Sequence, residues 1–83
     1  MGVRILYFAA LREALGVSAE EFDLPPGVAS VAALRDCLAA RGGSWQRLAA
    51  GSVKAAVNQH MAGGDAPVGQ GDEVAFFPPV TGG

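Results

Sequence analysis

Thiol, imidazole and positive charge are all scarce in this chain. One cysteine, Cys37, in 83 residues excludes a disulfide framework, and with it any thiolate metal cluster built within a single chain. The iron–sulfur version of a small mixed domain is therefore excluded too. The lone histidine, His60, stands in a glycine-rich stretch with no second ligand near it in sequence, which argues against a metal site or an imidazole base. Lysine and arginine number 6 against 8 acidic residues, for a net charge of −2, so the basic stripe of a nucleic-acid binder is missing. The opening "MGVRILYFAALRE" is interrupted at Arg4, is too short to span a bilayer and has neither the basic segment nor the cleavage site of a secretion signal. Leu6 stands where an N-myristoylation motif at Gly2 would need Ser or Thr. The expectation is a cytoplasmic protein with neither nucleic acid nor membrane as a partner.

Apolar residues are plentiful, at 51% against 17% charged, which is a globular composition. The length suits one domain over 1–83. "VRILYF" reads as a first strand with Val3, Ile5 and Tyr7 on one face and Arg4, Leu6 and Phe8 on the other. "AALREALG" reads as a short helix stopped by Gly16, and Ser18–Leu24 as a polar edge strand. After the turn at 25–27, Ser30 caps the clearest helix, with Val31, Leu34 and Leu38 as its stripe, Cys37 beside them as a small packed side chain and Gly42-Gly43 as its end. "SWQRLAA" adds a helical turn with Trp45 and Leu48 over the core. In "SVKAAVN", Val53, Ala55 and Val57 are expected inward, and Lys54, Ala56 and Asn58 outward. The stretch 59–72 is loop with one short strand near Met61. "EVAFF" is the last strand, ended by Pro78-Pro79, which have no N–H for a ladder. This order predicts an α+β roll of the β-grasp kind, a mixed sheet of four or five strands packed on one long helix with short helices beside it.

No catalytic constellation emerges. Asp72 and Glu73 are strand neighbours that point to opposite faces, and Asp72 is better suited to shaping the turn in "GQGD". The Gly-Gly pairs at 42–43 and 63–64 match no full phosphate-binding pattern, and Ser44 and Ser52 have no histidine partner. The chain instead finishes on "FFPPVTGG". Glycines have no Cβ, so such a tail can thread a narrow channel and leave the Gly83 carboxylate open to reaction, while Pro78-Pro79 stiffen its base. A carboxylate is anionic above about pH 3.5 and a poor electrophile until it is joined to AMP as a mixed anhydride.

"VRILYFAALREALG", "AAVNQ" and above all "GDEVAFFPPVTGG" resemble the small-subunit family of molybdopterin synthase, often called MoaD. The resemblance implies a ubiquitin-like β-grasp fold and a sulfur carrier with no catalytic residues, bound cofactor or metal of its own. It implies that an adenylating, sulfurylating partner of the E1-like kind spends ATP with magnesium on Gly83 to make a thiocarboxylate. It also implies a synthase large subunit, in a heterotetramer, whose active site receives Pro78, Pro79, Val80, Thr81 and Gly82 and passes the sulfur to the pyranopterin precursor Z. An apolar face bearing Leu6, Phe8 and Phe77, with Met61 at its edge, is expected to meet these partners. A thiamine-pathway sulfur carrier and a ubiquitin-like modifier are the rival readings, since both end in Gly-Gly. Residues 78–83 are expected to form a flexible tail.

Overall fold

The first and last strands of the sequence lie side by side, in parallel, at the centre of the sheet. The computed structural model describes residues 2–78. Its elements are β1 (Val3–Tyr7), α1 (Ala9–Leu15), β2 (Ala19–Phe22), α2 (Val31–Ala39), a 3-10 helix (Gly43–Ala49), β3 (Lys54–Val57), β4 (His60–Ala62) and β5 (Glu73–Phe77). The five strands form one sheet in the order β2-β1-β5-β3-β4. β1 runs parallel to β5, and the other pairs are antiparallel. The β-grasp order read from the sequence is the observed one, with β2 at an edge.

Alternation sorts the strands. Val3, Ile5 and Tyr7 of β1 and Val74 and Phe76 of β5 are buried on the inner face. Tyr7, Phe76, Ala55 and Ala62 form one inner row across β1, β5, β3 and β4. Val31, Leu34 and Leu38 of α2, Leu11 of α1 and Leu48 of the 3-10 helix close over these rows. Each such fully buried aliphatic side chain is worth about 1.5–3 kcal/mol relative to exposure. Trp45 is half-buried against the core and meets the Tyr7 ring edge-on, with centroids 5.4 Å apart.

Local signals set the boundaries. The Ser30 hydroxyl accepts the Ala33 N–H at 3.1 Å and caps α2. Gly16 ends α1 at φ 75°, its N–H donating to the Arg12 carbonyl. Gly2 is required for a different reason: a Cβ there would overlap the Phe22 carbonyl across the β1–β2 pair. α2 stops at Ala39, short of the Gly42-Gly43 end expected for it, because the chain tightens through i→i−3 bonds at Arg41 and Gly42 into the 3-10 helix. The strand expected over Ser18–Leu24 forms only at Ala19–Phe22. Cys37 is half-buried beside the stripe.

A polar clamp ties β1, β2 and the α2 C-terminus together. The Tyr7 hydroxyl donates to Glu20 Oε2 at 2.8 Å, and Arg41 donates to both Glu20 oxygens at 3.0 Å. The Arg41 guanidinium also lies 4.3 Å from the Trp45 ring centroid. Burial raises the Tyr7 pKa, and the Glu20 carboxylate raises it further, so the hydroxyl stays a donor. Burial also pushes Glu20 up, but the bonds from Arg41 and Tyr7 outweigh it and hold the carboxyl below its usual range. The stability this lowered pKa supplies is complete above the unfolded value of 4.5 and fades as the pH falls through the lower folded one. Glu20→Gln is therefore expected to lower Tm at pH 7 and to flatten its decline between about pH 5 and pH 2. Thermal melts of both proteins across that range check this, an unchanged acid slope assigning the decline to other carboxylates such as Asp72.

Candidate functional site

The sheet face away from the helices has no element packed on it among the described residues, and strand register writes its surface row by row. The middle row crosses all five strands as Ala19, Leu6, Ala75, Ala56 and Met61. On one side lies a charged row, Glu21, Arg4 and Glu73. On the other side Phe77 is paired with Lys54. Phe8 stands one step beyond Tyr7, and its N–H donates to the Phe76 carbonyl at 3.2 Å. Phe8 is extended, at φ −117° and ψ 154°, so alternation puts its side chain on the same face as Leu6.

Leu6, Phe8, Met61 and Phe77, the four residues singled out from sequence, thus share one face. Phe8 is 46% exposed and Met61 67% exposed, the large apolar side chains most open to solvent among the described residues. Leu6 and Phe77 are half-buried. Ala56 points outward as expected but is only 9% exposed, its small side chain in register between Met61 of β4 and Ala75 of β5. The Glu21, Arg4 and Glu73 row occupies the end away from Pro78, and Phe8 and Phe77 stand with Lys54 at the end where β5 runs out into Pro78. Pro79, Val80, Thr81, Gly82 and Gly83 lie outside the described residues.

Two turns carry this face, and neither was visible in the strand pattern. β1 passes into α1 through Ala9, a non-glycine residue at φ 53°. Such a left-handed conformation costs an alanine roughly 1–2 kcal/mol. β3 passes into β4 through Asn58 and Gln59, at φ 51° and 70°, between the paired residues Val57 and His60. Positive φ at both central residues makes this the tight hairpin turn that favours asparagine first. The sequence reading took Asn58 as the end of a strand; asparagine suits the first turn position, but Gln59 gives none of the glycine signal that marks such a turn. The Asn58 side chain also clasps the start of β5: Nδ2 donates to Asp72 Oδ1, and Oδ1 accepts the Glu73 N–H, both at 3.0 Å. Asp72 Oδ2 accepts the Gly69 N–H at 2.9 Å, the turn-shaping role expected of it. These bonds from Asn58 and Gly69 lower the Asp72 pKa.

The remaining polar groups do not assemble for chemistry. His60 opens β4 and is exposed, and no group of three His, Cys, Asp or Glu side chains is placed to hold a metal ion among the described residues. A groove of about 320 Å³ lies between α2 and the β3–β4 edge, lined in part by Ala32, Arg35, Asp36 and Gly64. Arg35 is engaged there with the Ala50 carbonyl at 3.3 Å and lies over the Phe76 ring. No helix among the described residues is long and apolar enough to cross a membrane.

Comparison with known proteins places this geometry. Residues 5–83 match the ThiS family. The molybdopterin synthase sulfur carrier subunit of Escherichia coli (strain K12) is 46% identical, across 98% of this chain and 99% of that protein. A putative molybdopterin converting factor subunit 1 from Pyrococcus furiosus superposes with a TM-score of 0.78 at 31% identity, covering 96% of this chain and 99% of the other. SAMP1 from Haloferax volcanii superposes over the whole of both chains with a TM-score of 0.81 at 26% identity.

The clasp has a measurable consequence. Asn58→Ala removes both side-chain bonds and places an alanine at positive φ, for an expected loss of about 1–2 kcal/mol. Hydrogen exchange is expected to speed up first at the Glu73 amide, which Asn58 Oδ1 holds. Unchanged exchange there would show that β5 keeps its start without the clasp.

Proposed function

The chain belongs to the ThiS family and to the molybdopterin synthase sulfur carrier subunits, and on that premise we propose that Gly83 is the atom-bearing end of the molecule, carrying sulfur as a thiocarboxylate. The observation that carries this reading is the 46% identity over nearly the full length of both chains to a sulfur carrier subunit. The chemistry starts from an inert carboxylate. An adenylating partner of the E1-like kind joins it to AMP from ATP, with magnesium, and releases pyrophosphate. A persulfide sulfur then attacks the acyl carbon and AMP leaves. Cleavage of the S–S bond by a thiol leaves the thiocarboxylate. On this reading the chain supplies a group and its partners supply the catalysis, in the cytoplasm.

The outward face is the docking surface of the same proposal. Leu6, Phe8, Phe77 and Met61 sit on the sheet from which Pro78 departs, so a large subunit that covers them lies where the tail begins. Pro78, Pro79, Val80, Thr81 and Gly82 are then the segment that enters its active site, and Gly83 delivers sulfur to precursor Z, the cyclic pyranopterin, in a heterotetramer. Ordering four residues of tail costs on the order of 4–8 kcal/mol, and burial of this apolar face is a source of binding energy to offset it.

Mass, stability and binding measurements test the reading. Incubation with the adenylating enzyme, ATP, magnesium and a sulfur donor is expected to replace one oxygen by sulfur at the C-terminus, seen by intact mass. Deletion of Gly83 is expected to abolish that gain while leaving Tm nearly unchanged, since a terminal residue contributes little stability. Ladders of larger species on other proteins would instead identify a modifier. Phe77→Asp is expected to weaken large-subunit binding by tenfold or more, on the order of 1.4 kcal/mol or above, with the fold intact by circular dichroism. Unaltered affinity would remove the sheet face from the interface.

A further inference from the structure

We propose that Ala9 is a contact residue of the same partner, held in a left-handed turn so that the docking surface wraps from the sheet face around the β1–α1 corner. The inference rests on the docking reading above and adds to it a residue outside the sheet. Among the described residues, Ala9 departs from the rule that the other left-handed positions outside the β3–β4 turn follow. Where other backbone positions need a left-handed φ outside the hairpin turn, the sequence supplies glycine, at Gly16, Gly27, Gly42, Gly43 and Gly71. At φ 53° position 9 has alanine instead. Glycine would adopt this turn at no steric cost, so the methyl group is retained against local preference.

The corner does not need that methyl for its shape. Phe8 is fixed on both sides, its N–H bonded to the Phe76 carbonyl at 3.2 Å and its carbonyl accepting the Leu11 N–H at 3.1 Å. Leu11 is buried in the core and anchors α1 behind the turn. Phe8, Ala9 and Ala10 are all exposed, an uninterrupted apolar run at the end of the sheet where β5 gives way to Pro78. Apolar side chains exposed in succession, on a backbone pinned by hydrogen bonds and carrying strain at its middle residue, have the character of a prepared contact surface. The occupant is the chain that covers Phe8 and Phe77, since the run begins at Phe8 itself.

The test compares Ala9→Gly and Ala9→Asn with the unaltered protein, measuring Tm and affinity for the large subunit. Both replacements are comfortable at positive φ, so Tm is expected to hold or rise. Affinity is expected to fall about three- to tenfold for Ala9→Gly, which removes one methyl contact. A comparable fall is expected for Ala9→Asn, which puts an amide into an apolar contact. Unchanged affinity for both, alongside weakened binding by Phe77→Asp, would overturn the role of Ala9 and leave the sheet-face reading standing. Unchanged affinity for Phe77→Asp as well would remove the docking surface altogether. A Tm lowered by more than about 5 °C for Ala9→Gly would assign the alanine to the fold and overturn the proposal.

Discussion

Parallel pairing of β1 with β5 is the constraint from which the other features follow. Two parallel neighbours cannot be joined by a tight turn, so the chain between Tyr7 and Glu73 has to include a crossover, which α2 and the 3-10 helix make on one side of the sheet while β2, β3 and β4 extend it at its edges. α1, α2 and the 3-10 helix fill that side and supply the core. The opposite face has no covering layer among the described residues, and its middle row is small and apolar. The same pairing brings the end of β1 beside the end of β5, so Phe8 and Phe77 stand on neighbouring strands where the last strand gives way to Pro78. The proposed docking face and Pro78, from which the proposed tail departs, thus come from one backbone relationship, with no loop required to bring them together.

That face is polarised along its strands. The Glu21, Arg4 and Glu73 row occupies the end far from Pro78, whereas Phe8, Phe77 and Lys54 stand near it. Complementary charge on a partner sets orientation more than strength. On the proposed docking reading, the apolar middle row supplies area and the charged row gives it a direction. The core is braced separately: the Tyr7–Glu20–Arg41 clamp lies on the inner side and at the β2 edge, so the outer face carries no side chain of that clamp.

Much of this was legible because period-2 alternation is strict wherever one face is buried. "VRILY" divided its side chains between the two faces as observed, and the expectation of Phe77 on the face of Leu6 and Phe8 agrees with the register. Ser30 and Gly16 announced helix ends through chemistry that acts within a few residues. What escaped the sequence depends on contacts distant along the chain. Ala56, of low exposure, stands in register between Met61 and Ala75. The Asn58–Asp72 clasp joins residues fourteen apart, and Arg41 finds Glu20 across twenty-one. The left-handed turn at Ala9 contradicts its residue type and had no signal to betray it. The early end of α2 escaped because Gly42-Gly43 marked where the helix could no longer continue, while the tightening began before them.

The two open edges of the sheet have a bearing on how such a domain survives at high concentration. An uncovered apolar face beside unpaired strand backbone is the usual recipe for fibrillar stacking. Here β2 carries Glu20 and Glu21, and β4 is only three residues long, held by its hairpin turn. Neither edge offers a long, uncharged template for another strand. Contact through the sheet is therefore left to side chains rather than to backbone ladders, and side chains discriminate between partners where a bare strand edge pairs with any chain that is extended.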